Sequence, residues 1–399
     1  MPASNPKPTF APAASFAHEV RVTSPLFTPF TLNRLALPNR WLMPAMQRGM
    51  CVNGAPKPEL AAYYRRRAEG GVPLIIGESG AVDHPSSTVQ PTAAHINAST
   101  RDGWARCVSE VGEAGGAMLL QLWHEGALRA DGKALSPSGL AHPGRESGRA
   151  ATLDELAEIR DGFVRSALIA REVGAAGIEV HAAHGYFLDQ FLWHGTNVRS
   201  DGYGGPDVAH RARFPAEIVA AIRAACGPDF VITLRFSQWK EADYGARVAA
   251  TPEELATMAA MFREAGVDAL HCSNRRFWLG EWDGDGRNLA GWTKAVSGLP
   301  TITVGSVGLD TDVMTTFMEA KDPGARVAEA IEDLEQRLAA GEFDLVAVGR
   351  ALIGDPDFVR KVEQRDYGAI RTFARADLGK LEWDTSIVEQ AHAAQVGTS

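Results

Sequence analysis

His181, His184 and Tyr186 lie within six residues of one another, in the order H-x-x-H-x-Y. Two imidazoles brought to one point could polarise a carbonyl or nitro oxygen, or bind a metal ion. A tyrosine beside them can deliver a proton. Isolated histidines are more often hydrogen-bonded structural residues, so this triplet carries weight only with support elsewhere. Gly305-Ser306-Val307-Gly308 and Gly349-Arg350 offer it. Tight glycine turns can present backbone N–H groups to an anion, and Arg350 would add a charge-assisted clamp. The plainer reading is two ordinary strand-to-helix turns. Arg235 closes an apolar run, FVITLRF, and a buried arginine needs a carboxylate, a phosphate or an electron-rich ligand. An ion pair with Glu78 is the simple alternative.

The elements that must position these residues are short apolar runs alternating with amphipathic helices. Strands are expected at 41–45, 72–78, 117–122, 177–181, 230–236, 267–272, 301–305 and 343–349. They are rich in Val, Ile and Leu without strict alternation, as parallel strands buried on both faces require. Helices are expected at 58–69, 101–114, 152–173, 210–225, 251–265 and 324–340. Thr152-Leu-Asp-Glu155 reads as a capping box and Thr251-Pro-Glu-Glu as a second helix start. This alternation predicts an α/β fold, a (β/α)8 TIM barrel. A doubly wound sheet would usually carry G-x-G-x-x-G after its first strand, but here that strand ends in PAMQRGM. In a barrel, the chemistry gathers at the C-terminal strand ends, where all of the residues above fall.

The chain of 399 residues is 45% hydrophobic and 22% charged, an ordinary balance for a packed protein. Forty Lys and Arg against 49 Asp and Glu give a net charge of −9, which disfavours binding to nucleic acid. Cys51, Cys107, Cys226 and Cys272 are scattered, so no cysteine cluster for zinc or iron–sulfur is expected, and a reducing, cytoplasmic setting fits. No apolar run approaches membrane-spanning length, and the N-terminus lacks the pattern of a signal peptide. Residues 1–24 read as a flexible arm, 25–373 as the barrel and 374–399 as a peripheral tail in which Trp383 could dock. The Trp-rich stretch 277–292, FWLGEWDGDGRNLAGW, falls outside the regular pattern. It could overhang the site or simply pack on the barrel rim. Self-association is left open, since no seam is visible.

From Leu26 to Phe373 the sequence resembles the Old Yellow Enzyme family of FMN-containing oxidoreductases. LFTPFTLNRLALPNRWLMPAM is similar to the family's N-terminal β-hairpin cap and first strand. LIIGESGAV, LLQLWHEG, IEVHAAHGYFLDQFLWHGTNVRSDGYGG, TVGSVGL and AVGRALIGDP follow in the family's order. The resemblance implies a tightly bound FMN lined by Pro44, Ala45, Met46 and Gln47. Ser79 and Gln121 would face its pyrimidine edge and Arg235 its N1 and O2. Gly305, Ser306, Gly308, Gly349 and Arg350 would hold the phosphate. His181 and His184 match the paired donors that bind the substrate oxygen, and Tyr186 matches the proton donor.

The implied cycle is ping-pong, with NADPH or NADH as reductant and an α,β-unsaturated carbonyl or nitro compound as substrate. Three departures from the family pattern bear on potential and substrate range: Gln47 for Thr or Cys, Ala127 for Arg, and Gly49 for Tyr. Alternatives on the same fold are an amine dehydrogenase or demethylase, or a ring-oxidising dehydrogenase. Larger relatives with an iron–sulfur cluster and an added nucleotide domain fit less well, given the scattered cysteines and the short run after the eighth strand. A metal-dependent hydrolase using His181, His184 and His271 is a reading from another class. A catalytically silent flavin-binding protein is a fourth.

Overall fold

The computed structural model describes residues 24–381; residues 1–23 of the expected arm and the segment 382–399, with Trp383, lie outside the described residues. Eight parallel strands close into a barrel. They are β1 Trp41–Met43, β2 Leu74–Ala81, β3 Ala117–Trp123, β4 Gly177–His184, β5 Val231–Lys240, β6 Ala269–Ser273, β7 Thr301–Val304 and β8 Leu345–Ala347. Each pairs with the next, and β8 returns to β1 with Val346 opposite Trp41. Around them run α1 Pro58–Glu69, α2 Arg101–Glu113, α3 Leu153–Glu172, α4 Phe187–Leu192, α5 Val208–Cys226 and α6 Pro252–Ala265. α7 Leu289–Ser297, α8 Val313–Met318, α9 Val327–Ala339, α10 Arg350–Gly354 and α11 Phe358–Glu363 complete the ring. None of these helices is long and apolar enough to cross a membrane.

Local chemistry sets the helix starts. Thr152 Oγ1 accepts from the Glu155 N–H while the Glu155 carboxylate accepts from the Thr152 N–H at 2.9 Å, the reciprocal box expected for α3. Thr251 caps α6, with Pro252 in the first turn where its missing N–H costs nothing.

Because side chains alternate along a strand, every second residue enters the barrel, and the interior changes character from base to mouth. At the base, Leu42, Leu74, Leu119, Val231, Ala269 and Leu345 form one apolar cluster. The N-terminal hairpin, Phe30–Leu32 paired with Leu35–Leu37, pushes Leu32 and Leu37 into that cluster and closes the base. Full burial of each leucine is worth about 1.5–3 kcal/mol. One step up, Gln121, Glu179, Thr233 and His271 replace the hydrocarbons; at the next, His181 stands beside Arg235.

Several boundaries differ from the sequence reading. β4 and β5 run past His181 and Phe236 because pairing resumes beyond a bulge, with His184 opposite Lys240. The Trp-rich stretch ends inside a helix, α7, whose start is capped by Asn288 accepting from the Gly291 N–H. The expected helix 324–340 begins only at Val327, after the separate short α8.

Candidate functional site

The chain turns sharply where β4 ends. His184 and Gly185 both take left-handed backbone conformations, φ 64° and 88°. For a histidine this is a strained state, and it persists only where neighbours over-determine it. Here the His184 N–H donates to Ser237 Oγ, its Nε2 pairs with Ser273 Oγ at 2.8 Å, and the Gly185 N–H donates to Asp189 at 2.6 Å. Asp189 is itself locked by Lys240 Nζ at 2.7 Å, both side chains being buried. Burial lifts the Asp189 carboxyl to about 6 against the opposing pull of Lys240.

The turn gathers three rings. His181 lies 5.3 Å from His184 and 5.4 Å from Tyr186, centroid to centroid. Tyr186 precedes α4 and sets its ring edge-on to Trp123 at 5.4 Å. Burial, then the nearby positive charge of Arg235, brings the His181 imidazole down to about 3. The same two causes hold His184 well below its ordinary value, so both rings are neutral donors. Burial, then the charges of Glu241 and Glu125, pushes the Tyr186 phenol up, so it keeps its proton.

Arg235 does not pair with Glu78. That carboxylate is occupied by the N–H groups of Arg48 and Gly49, at 2.7 and 3.2 Å, and by the Cys51 thiol. The carboxylate acting on Arg235 is instead Glu179, one layer below. Glu179 is fully buried and accepts from His271 Nδ1 at 2.7 Å and Gln121 Nε2 at 2.8 Å. Burial opposes its charge, but His271, Arg235 and Gln121 outweigh that and keep it below the usual carboxylate range. Burial lowers His271, with the charge and hydrogen bond of Glu179 opposing. Since Glu179 can only accept, Gln121 must turn its amide nitrogen downward; its oxygen meets Ser79 Oγ. Among the described residues Arg235 reaches only Ala45 O and Ser273 Oγ, each at 3.3 Å, and its Nε is buried without a partner.

At the opposite end, Ser306 is left-handed, φ 55°, and its hydroxyl donates to Arg275 O and Thr311 O. Gly305 admits no side chain, since a Cβ would stand 2.7 Å from Asn274 O. Arg350 is brought down to about 10 by burial, with Asp312 opposing.

One cavity of about 370 Å³ lies at the C-terminal mouth of the barrel. Pro44, Ala45, Met46, Gln47, Ser79, Gln121, Arg235, Gly305, Ser306, Gly349 and Arg350 are brought together there with His181, His184 and Tyr186. Gly308 is not among the lining residues; a Cβ there would stand 3.1 Å from the Phe358 ring. The sequence reading also missed Trp239, Glu241, Tyr244 and Arg275, which line the same cavity. The polar run after Phe236 had masked the strand that carries Trp239 to within 5.0 Å of the His184 ring.

The Trp-rich stretch packs on the rim and contributes no lining residue: Phe277 is buried, and Trp282 meets Trp292 and donates to Ala250 O. Leu378, from the segment expected as a peripheral tail, does line the cavity, tethered by Arg48 donating to the carbonyls of Asp377, Leu378 and Lys380. Gly49 sits at φ 62°, a conformation that a tyrosine there would adopt only under strain. Among the described residues no three His, Cys, Asp or Glu are grouped to hold a metal ion, and His271 is committed to Glu179.

The sequence profile of the NADH:flavin oxidoreductase / NADH oxidase family matches residues 25–367. An NADH oxidase from Thermoanaerobacter brockii is 32% identical over 89% of this chain and 53% of its own length. 12-oxophytodienoate reductase 7 from Oryza sativa subsp. japonica is 36% identical over 52% of this chain and 57% of its own length. This chain therefore spans little more than half of either relative. For 12-oxophytodienoate reductase 2 from Arabidopsis thaliana the identity is 27%, over 86% of this chain and 90% of that one. Among solved structures, morphinone reductase superposes with a TM-score of 0.72 at 25% identity, covering 89% of this chain and 93% of its own.

Proposed function

The chain belongs to the Old Yellow Enzyme family, and from that premise we propose that it is an FMN-dependent oxidoreductase that takes hydride from NADPH or NADH and reduces the activated C=C bond of α,β-unsaturated carbonyl or nitro compounds. What carries this reading is one cavity shared by the His181–His184–Tyr186 cluster, Arg235 and the Gly349–Arg350 turn.

The residues present suit a flavin. Arg235 Nε is a buried donor without an acceptor, which the electron-rich edge of a heterocycle would satisfy. Pro44, Ala45, Met46 and Gln47 would line one face, and Ser79 and Gln121 would meet the pyrimidine edge. Gly305, Ser306, Gly349 and Arg350 would lie toward the phosphate. When bound, FMN supplies the two-electron chemistry, accepting hydride from a reduced nicotinamide and returning it to carbon. A morphinone reductase solved with tetrahydroNAD supports a nicotinamide as the reductant.

The chain's own residues do the rest. His181 and His184, both neutral, donate hydrogen bonds to the substrate oxygen and stabilise the charge that develops on it. Tyr186, held protonated, gives its proton to Cα. Trp123 packs on Tyr186 and Trp239 on His184, which holds these rings in place.

The test is turnover without oxygen: purified protein, NADPH or NADH, and 2-cyclohexenone. The expected result is one cyclohexanone formed for each nicotinamide oxidised, with FMN released on denaturation. Nicotinamide oxidation that occurs only with oxygen, with the enone recovered unchanged, would remove alkene reduction from the reading.

A further inference from the structure

Three guanidinium groups gather around a single buried carboxylate at one end of the cavity. Arg275 donates to Asp312 at 2.8 Å, Arg276 lies 3.4 Å from it, and Arg350 donates to its carbonyl at 3.2 Å. Exposed Asp310, which accepts from the Gly324 N–H, is the other carboxylate acting on Arg350. Of these groups Arg275, Arg350 and Asp312 line the cavity, two guanidinium groups against one carboxylate.

Arg350 has little left to offer a ligand through its terminal nitrogens. One donates to Thr316 Oγ1 at 2.6 Å and to Asp312 O, the other to Thr311 O at 2.5 Å and Ser306 Oγ at 3.3 Å. Arg275 is differently placed. Its guanidinium carbon lies over Tyr244, 3.6 Å from the ring centroid, a contact that restrains the group. Its Nε is buried without a partner, and its carbonyl accepts from Ser306 Oγ, tying it to the turn at 305–308. An oriented, half-paired guanidinium lining a cavity calls for an acceptor with two oxygens.

We infer that Arg275 is the residue that makes the direct charge-assisted contact with a phosphomonoester at this end of the cavity, an inference that rests on the FMN reading above. Asp312 and Tyr244 hold its fork in place, and Arg350 braces the Ser306 turn.

The test compares FMN with riboflavin, which differ by the phosphate alone, binding to the full deflavinated chain as followed by flavin fluorescence. In the native chain FMN should bind more tightly, and inorganic phosphate should compete with FMN but not with riboflavin. R275M keeps the packing over Tyr244; it should weaken FMN by about tenfold or more and leave riboflavin unchanged. R275K keeps the charge but loses the fork and should fall between the two. A native preference for FMN that survives R275M intact would overturn the inference and leave the flavin reading standing. Equal weakening of both flavins would do the same, reducing Arg275 to a packing residue. A native chain that binds neither flavin would bring down the reading and the inference together.

Discussion

Replacing Tyr186 with phenylalanine is expected to slow reduction of the alkene by about 10²–10⁴-fold while leaving oxidation of the nicotinamide nearly unchanged. The substitution deletes one hydroxyl and keeps the ring that packs on Trp123 and beside His181. The two halves of the cycle respond differently because only the second needs a proton delivered to carbon. Burial and the charges of Glu241 and Glu125 keep the phenol protonated through neutral pH, so it is a donor at every working pH. Rapid-mixing measurements of each half-reaction check this. Equal slowing of both halves would make Tyr186 a packing residue and leave the proton donor unassigned.

His181→Ala should cost about 10²–10³-fold in alkene reduction and weaken phenolic ligands that imitate the enolate. Removing one of two donors leaves His184 in place, because its turn is held by Ser237, Ser273 and Asp189 rather than by His181. The pH dependence is part of the expectation. A pKa brought down to about 3 means that protonation of His181 sets in only as pH falls toward that value. Between pH 5 and 8 the ring is neutral, so the ratio of native to H181A activity should stay flat. A ratio that changes with a midpoint near 6.5 would show a charged imidazole at work, and an unchanged phenol dissociation constant would remove His181 from the donor pair.

Much of the barrel was legible because each strand is a short apolar run and each helix carries its own start signals. α1 falls at Pro58–Glu69 as expected, and the Thr152 box lies where its residues put it. The cluster at 181–186 was readable because its members are neighbours in sequence. The layer beneath was not. Glu179 and His271 stand 92 residues apart, and only strand register makes them partners. The same distance problem left an ion pair of Arg235 with Glu78 open as the simple alternative, since strand-end position alone does not show that Glu179, one layer below, is the carboxylate acting on it.

Two further features depend on detail that residue types do not carry. Gly305 and Gly308 look alike in sequence, yet one is crowded against Asn274 at the cavity and the other against Phe358 behind it. Trp239, Glu241 and Tyr244 escaped notice because Ser-Gln-Trp-Lys lacks an apolar strand pattern. Pairing with β4 past its bulge, not hydrophobicity, carries β5 through Trp239 to Lys240, and Glu241 and Tyr244 follow its end.

The central claim, that this cavity carries nicotinamide-driven reduction of activated alkenes, is tested most directly by the visible spectrum of the purified protein under anaerobic conditions. Adding NADPH or NADH should bleach a yellow protein, and adding 2-cyclohexenone should then restore its colour. A protein that bleaches but is not recoloured by the enone would contradict the assignment of His181, His184 and Tyr186 to alkene chemistry. A colourless protein that cannot be reconstituted with FMN would contradict the account at its root.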